Sequence, residues 1–194
     1  MDPYAPGMQA IRVGSREWLV DVLVAAALSA IVVASVVTKD PAVTYEFREP
    51  NAWLVGLALA ASVPLAVRRR WPLTVVVITA GAAFVIAALR WNTGATPFCL
   101  MLALYAVAAW RDRLAAAAVG LAVVYAAMGG LALLRAPYFD HPFALVSAVA
   151  VTVAWAVGRV MRRRRRAREI AVVRALTAER TRAVTAERAE RNAS

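Results

Sequence analysis

Few side chains in this sequence could carry chemistry, and each stands almost alone. His141 is the single histidine, Cys99 the single cysteine, and Asp21 the only acid inside a long apolar stretch. His141 follows Asp140, a pair that could serve a pH or metal sensor. One imidazole and one carboxylate make a poor metal site, however, and the plain alternative is an exposed loop histidine. A lone cysteine can form neither an internal disulfide nor a cysteine metal cluster, so Cys99 reads as a small buried hydrophobe. An acid in a membrane stretch is a functional candidate by default. Asp21 lies about one turn from the polar end of its stretch, within reach of headgroups, of Arg16 or of a nearby loop arginine. No deeper charged group continues a proton or ion path from it. Hydroxyls at Ser29, Ser35, Ser62, Thr74, Thr79, Ser147 and Thr152 read as back-bonding or packing groups. No G-x-S-x-G, P-loop or glycine-rich phosphate cradle occurs. No catalytic, cofactor or metal residue is therefore assigned, and the chain is not expected to be an enzyme.

The remaining candidates are arginines. Arg162, Arg163, Arg164, Arg165 and Arg166 are consecutive; Arg68, Arg69 and Arg70 form a second run, and Arg111 and Arg113 a third cluster. Each costs a few kcal/mol or more at a bilayer centre. At the headgroup level anionic lipid attracts each by about 1 kcal/mol. Their expected roles are lipid-headgroup contact and the setting of topology.

These arginines punctuate a very apolar chain. Of 194 residues, 62% are hydrophobic, and the mean hydropathy is +0.62. A soluble domain is nearer half apolar, so the excess points to an integral membrane protein. The formal charge of +11 raises nucleic acid as a partner. Most of the arginines lie beside apolar spans, as the positive-inside rule requires, and no nucleic-acid partner is expected. Lys39 is the only lysine, and Ala and Val are abundant, a bias that GC-rich bacterial genomes produce. The first 17 residues mix Pro, Asp, Arg and Glu and show no signal peptide.

The expected fold is all-α and polytopic. A polar lead covers 1–17. Six spans follow at 18–38, 51–67, 71–89, 96–110, 114–134 and 142–161, with Pro72 and Pro97 in first turns, where proline fits. Pro64 sits near the end of the second span. The lead, the 68–70 turn, the 111–113 turn and the run at 162–166 are richer in Arg than the loops at 39–50, 90–95 and 135–141, where Asp40, Glu46, Glu49 and Asp140 offset the bases. The positive-inside rule then gives a plasma-membrane protein with both termini cytoplasmic. The fourth span is the shortest, and its loss would invert everything after it. Gly120, Gly129 and Gly130 could allow close helix contact.

Residues 162–194 should form a basic cytoplasmic helix, since Ala, Arg, Glu and Leu dominate without Gly or Pro. Ile170, Val173 and Leu176 begin an apolar stripe that fades to Ala183 and Val184. Such a stripe suits the start of a parallel coiled coil, and hence a homodimer through the tail. It suits a solvated basic helix equally well, because a heptad assignment needs three or four repeats.

Three stretches together carry a family likeness. Residues 64–73, Pro-Leu-Ala-Val-Arg-Arg-Arg-Trp-Pro-Leu, are similar to a cytoplasmic hairpin of actinobacterial sensor histidine kinases of the nitrate-sensor/desaturase-sensor type. Residues 103–113, Ala-Leu-Tyr-Ala-Val-Ala-Ala-Trp-Arg-Asp-Arg, resemble the next hairpin of that family, and the Arg-rich exit with Ala-Glu-Arg repeats resembles its linker helix. The family continues into a dimerisation helix with an Arg-Glu-Leu-His-Asp-like phosphoacceptor motif and then an ATP-binding domain. This sequence reaches Ser194 before any such motif, and His141, followed by Pro142, does not match it. The resemblance thus implies the sensing and transmitting half of such a kinase, as a fragment or an early-ending product. Its implied partners are anionic lipid, a second copy, and a kinase domain or response regulator. Other expectations remain open: a free-standing membrane scaffold or regulator whose basic tail binds lipid or a partner, a small transporter, and a DNA-binding tail with steep salt dependence.

Overall fold

A computed structural model of the chain describes residues 6–38, 47–110, 114–134 and 141–193. Helix α1 runs Pro6–Val37, α2 Ala52–Ser62, α3 Pro72–Ala88, α4 Thr96–Trp110, α5 Leu114–Leu133 and α6 His141–Ala193. No strand occurs among the described residues. Three segments are long and apolar enough to cross a membrane: Trp18–Val37, Leu114–Leu133 and part of Ala144–Glu179. Ala52–Val67, Pro72–Ala88 and Thr96–Trp110 are apolar but shorter.

Local chemistry sets the boundaries. Asn51 caps α2 by accepting the Leu54 N–H at 3.0 Å. Pro64 has no N–H to give, so α2 stops at Ser62 and the chain tightens into a 3₁₀ turn over Val63–Val67. Pro72 opens α3, where its missing N–H is harmless. Helix α3 closes on Arg90, whose φ of 59° is left-handed. The Trp91 N–H then reaches Ile86 O at 3.0 Å and the Arg90 N–H reaches Ala87 O at 3.1 Å, which satisfies carbonyls of the last turn.

Two expectations change. Most of the polar lead is helical, because α1 begins at Pro6 and nothing in 7–17 stops it. His141 is the first residue of α6 rather than part of a loop. Of the expected loops at 39–50 and 135–141, residues 39–46 and 135–140, with Asp140, lie outside the described residues.

Helix α4 is the centre of the bundle and packs against α2, α3, α5 and α6. Its 15 residues span about 22 Å, short of a hydrocarbon core of about 30 Å. Cys99, Ala103, Leu104, Val107 and Ala108 of this helix are buried, so protein surrounds it and a match to lipid thickness is not required. The outer faces carry exposed Leu23, Ile31, Trp53, Phe98, Val119, Leu145 and Val146, a surface suited to lipid and not to water.

Small polar links join the helices. Ser29 donates to Ser62 Oγ at 2.9 Å, and Thr79 donates across to Ala61 O at 3.1 Å. Trp155 Nε1 donates to Ala117 O at 2.9 Å, and the Tyr125 and Thr152 hydroxyls lie 2.6 Å apart. Of the three glycines considered from sequence, Gly120 faces Val107 and Gly130 faces Phe84, whereas a Cβ on Gly129 would meet nothing.

Candidate functional site at the arginine-rich end

Asp21 is 2% exposed and ends the apolar stretch of α1 beside the turn between α2 and α3. That turn follows the 3₁₀ segment created by Pro64, and it delivers two guanidinium groups to one carboxylate. Arg68 Nη2 lies 2.7 Å from Asp21 Oδ1, and Arg69 Nε lies 2.5 Å from Oδ2. Among the described side chains, Asp21 meets the loop arginines Arg68 and Arg69; the Arg16 side chain lies outside them. One charged hydrogen bond from Arg68 and an ion pair with Arg69 in a low-dielectric site are strong, but they also desolvate three charges, so their clearest effect is geometric.

Arg69 extends the contact to α4. Its guanidinium carbon sits 4.8 Å from the centroid of the Trp110 ring. Arg165 of α6 shares that ring at 4.3 Å. A cation held this way over an indole is worth about 0.5–2 kcal/mol, depending on how far it is desolvated. Asp21, Arg68, Arg69, Trp110 and Arg165 thus form one chain of contacts across α1, the α2–α3 turn, α4 and α6.

The arginine run divides by helical periodicity. Arg162 and Arg165 are three apart and share a face with Arg159. Arg162 is only 6% exposed and turns into the bundle, while Arg163, Arg164 and Arg166 are exposed, as is Arg165 despite its contact with Trp110. Arg70 is exposed as well. Arg111 and Arg113 lie outside the described residues. Ile170, Val173 and Leu176 are each more than half exposed and pack on no core.

Two members of this end were not singled out from sequence. Trp110 enters there only as the end of the fourth span and as part of the 103–113 stretch. Gly158 was overlooked: a Cβ at that position would stand 2.7 Å from Tyr105 O and 2.8 Å from Ala108 Cβ, so only glycine lets α6 approach α4 this closely. The detectable signal was Ala154 and Gly158, small residues four apart on one helix face.

Chemically the site can pair charge and position helices. No group of three or more His, Cys, Asp or Glu able to hold a metal ion occurs among the described residues. At the junction Arg68 and Arg69 meet one carboxylate, Asp21, while Arg165 meets the Trp110 ring. Residues 10–165, most of the chain, match the family model described as a domain of unknown function, DUF7134. No curated protein and no solved structure shows significant similarity to the chain.

Proposed function

The chain belongs to the DUF7134 family, and we propose that it is a non-catalytic membrane input and transmission module of a two-component sensor histidine kinase. Six spans would cross a bacterial plasma membrane with both termini in the cytoplasm. The three shorter apolar helices supply the additional crossings, and the 68–70 turn and the exit of α6 meet at one end while Arg48 and Arg90 pair at the other through a 2.9 Å backbone bond. The observation that carries the reading is the shared contact of Arg69 and Arg165 with Trp110. It couples the arginine-rich end of the bundle to the helix that leaves it.

In this mechanism a shift of α4 against α6 changes how Trp110 holds Arg165. The tail turns or slides in response, and a second copy reads that motion through Ile170, Val173 and Leu176. Anionic headgroups engage the outward arginines, Arg163, Arg164 and Arg166. The stimulus is a membrane state or a small apolar compound. The kinase or response regulator acts downstream of the tail.

The test is cysteine crosslinking in native membranes, in a Cys99→Ser background, with single cysteines at 169–177. Crosslinks repeating at heptad spacing, and altered by Trp110→Leu, are expected. Uniform or absent crosslinking would remove the dimeric transmission helix. An antibody against 170–194 then reads the native mass. A species about twice 20.8 kDa that autophosphorylates identifies the kinase. The exposed arginines and exposed tail stripe also favour a second reading, a scaffold whose tail binds lipid or a partner. A tail that captures anionic vesicles while no histidine phosphorylation occurs in those membranes would favour it.

A further inference from the structure

Arg159 is the only charged residue between Pro142 and Met161, and neither the Asp21 cluster nor the Trp110 ring engages it. Its neighbours Val157, Val160 and Met161 are exposed apolar side chains, so Arg159 stands at the edge of the lipid-facing surface. A cation at that depth is costly unless something matches it. Arg159 is half-buried and has no hydrogen bond or ion pair with any described residue. Its Nη1 is enclosed by protein, whereas Nε and Nη2 are neither bonded nor enclosed and open to the outside of the bundle.

Helical periodicity places its surroundings. Trp155 lies one turn before Arg159 on the same face, and its Nε1 donates to Ala117 O of α5. Arg163 and Arg166 follow at four and seven residues, and both are exposed. This face therefore runs from a contact with α5 onto a ladder of guanidinium groups. The charges that act most on Arg159 are those of Arg162, Arg163 and Arg166, all positive. No carboxylate among the described residues pairs with Arg159 or Arg163.

We infer that Arg159 and Arg163 together bind the phosphate of an anionic phospholipid. Side chains four apart on a helix have Cβ atoms about 5–6 Å apart, so the two guanidinium groups can converge on one group between them. A phosphodiester offers two unesterified oxygens, one for each fork. The headgroup phosphate is also the anion that the bilayer itself holds at this depth, whereas a soluble anion would have to leave water to arrive there. Its acyl chains then lie along Val157, Val160 and Met161. A zwitterionic lipid shares the phosphodiester, but its cation would meet the charges of Arg162, Arg163 and Arg166. The inference deepens the headgroup contact proposed above and rests on the membrane placement of that reading: the outward arginines attract a surface, whereas Arg159 fixes one lipid at one place.

The experiment titrates the full chain, in a non-ionic detergent, with phosphatidylglycerol or phosphatidylcholine and counts bound lipid by native mass spectrometry. Arg159→Gln and Arg164→Gln remove the same charge from two different faces of α6, and unfolding midpoints check that each variant is folded. Arg163→Gln repeats the test at the second member of the pair. One phosphatidylglycerol per chain should bind ahead of all others. Arg159→Gln should weaken it about tenfold or more, as loss of a charge-assisted hydrogen bond predicts. Arg164→Gln should weaken it no more than about fivefold, the share of one surface charge. Arg159→Lys should lie between, because it keeps the charge and loses the fork. Equal losses in Arg159→Gln and Arg164→Gln would mean diffuse attraction only and would overturn the inference, as would equal retention of phosphatidylcholine. Displacement of the lipid by excess inorganic phosphate would give the site to a soluble anion and overturn it too. Tail crosslinking on the same variants reads the transmission role separately. Selective lipid loss in Arg159→Gln without heptad crosslinks keeps the phosphate site and removes the transmission helix, whereas heptad crosslinks with equal lipid loss in both variants do the reverse.

Discussion

Arg165 rests over the Trp110 ring at 4.3 Å, and Arg69 holds the same ring at 4.8 Å. Substituting Trp110 therefore releases two arginines from two different elements at once. In Trp110→Leu, trypsin should cut the 162–168 region about tenfold faster, the factor matching ~1.4 kcal/mol of lost docking. Trp110→Phe should lie between, because phenylalanine is a weaker partner for a cation. Equal cleavage rates in all three proteins would show that the ring does not restrain the tail.

Asp21 joins Arg68 and Arg69 from a position that is almost wholly buried. Asp21→Asn keeps the shape and removes the charge, leaving two guanidinium groups facing a neutral amide. Removing one partner of a buried ion cluster costs about 3–5 kcal/mol. Denaturant unfolding in mixed micelles should show a loss of that size. A loss below about 1 kcal/mol, the value of an exposed pair, would mean that lipid or water already solvates the cluster.

Gly158 lets α6 approach α4 to within contact of Tyr105 O and Ala108 Cβ. Gly158→Val should push these helices apart and lower stability by about 1–3 kcal/mol, the usual effect of overpacking. It should also carry Arg165 away from Trp110. A double variant with Trp110→Leu should then release the tail little further than either change alone. Full additivity in the trypsin assay would separate the two contacts.

The loop between α3 and α4 holds two left-handed residues of opposite prospects. Gly94, with φ of 46°, presses on α1, and a Cβ there would stand 2.3 Å from Ser35 Oγ and 2.9 Å from Ser35 C. The same loop is pinned to α1 by Asn92 Nδ2 to Ser35 O at 3.1 Å and Ala95 N to Ser35 Oγ at 2.8 Å. Gly94→Ala should destabilise by about 2 kcal/mol or more. Arg90 adopts φ of 59° with a full side chain. Arg90→Gly should raise stability by about 1 kcal/mol, read as a higher unfolding midpoint. The Arg48 backbone N–H that bonds Arg90 O is untouched by that change.

Much of the fold was legible because helix ends in this chain are written in proline and charge. Pro72 and Pro97 mark the starts of α3 and α4, and the Arg68 turn separates α2 from α3. The helical start of the lead was not legible, since polar residues between Pro6 and Trp18 carry no apolar period. The arginines were legible as a group but not as individuals. Nothing in five identical residues distinguishes Arg162, which turns inward, from Arg163, which does not, until α4 fixes the rotation of α6. Nor does Trp110 differ in sequence from the exposed Trp18, Trp53 and Trp71.

Helix α6 is continuous for 53 residues, from its first apolar turn to Ala193. It contains no glycine after Gly158 and no proline after Pro142, so no flexible joint is written into it beyond the bundle. From Arg162 to Ala193 the arm is about 46 Å long at 1.5 Å per residue. A 5° tilt at the Trp110 fulcrum would sweep its far end through about 4 Å, on the order of one side-chain contact. An unbroken rod of this length turns a displacement too small to rearrange the helical bundle into one large enough to make or break a contact at its far end.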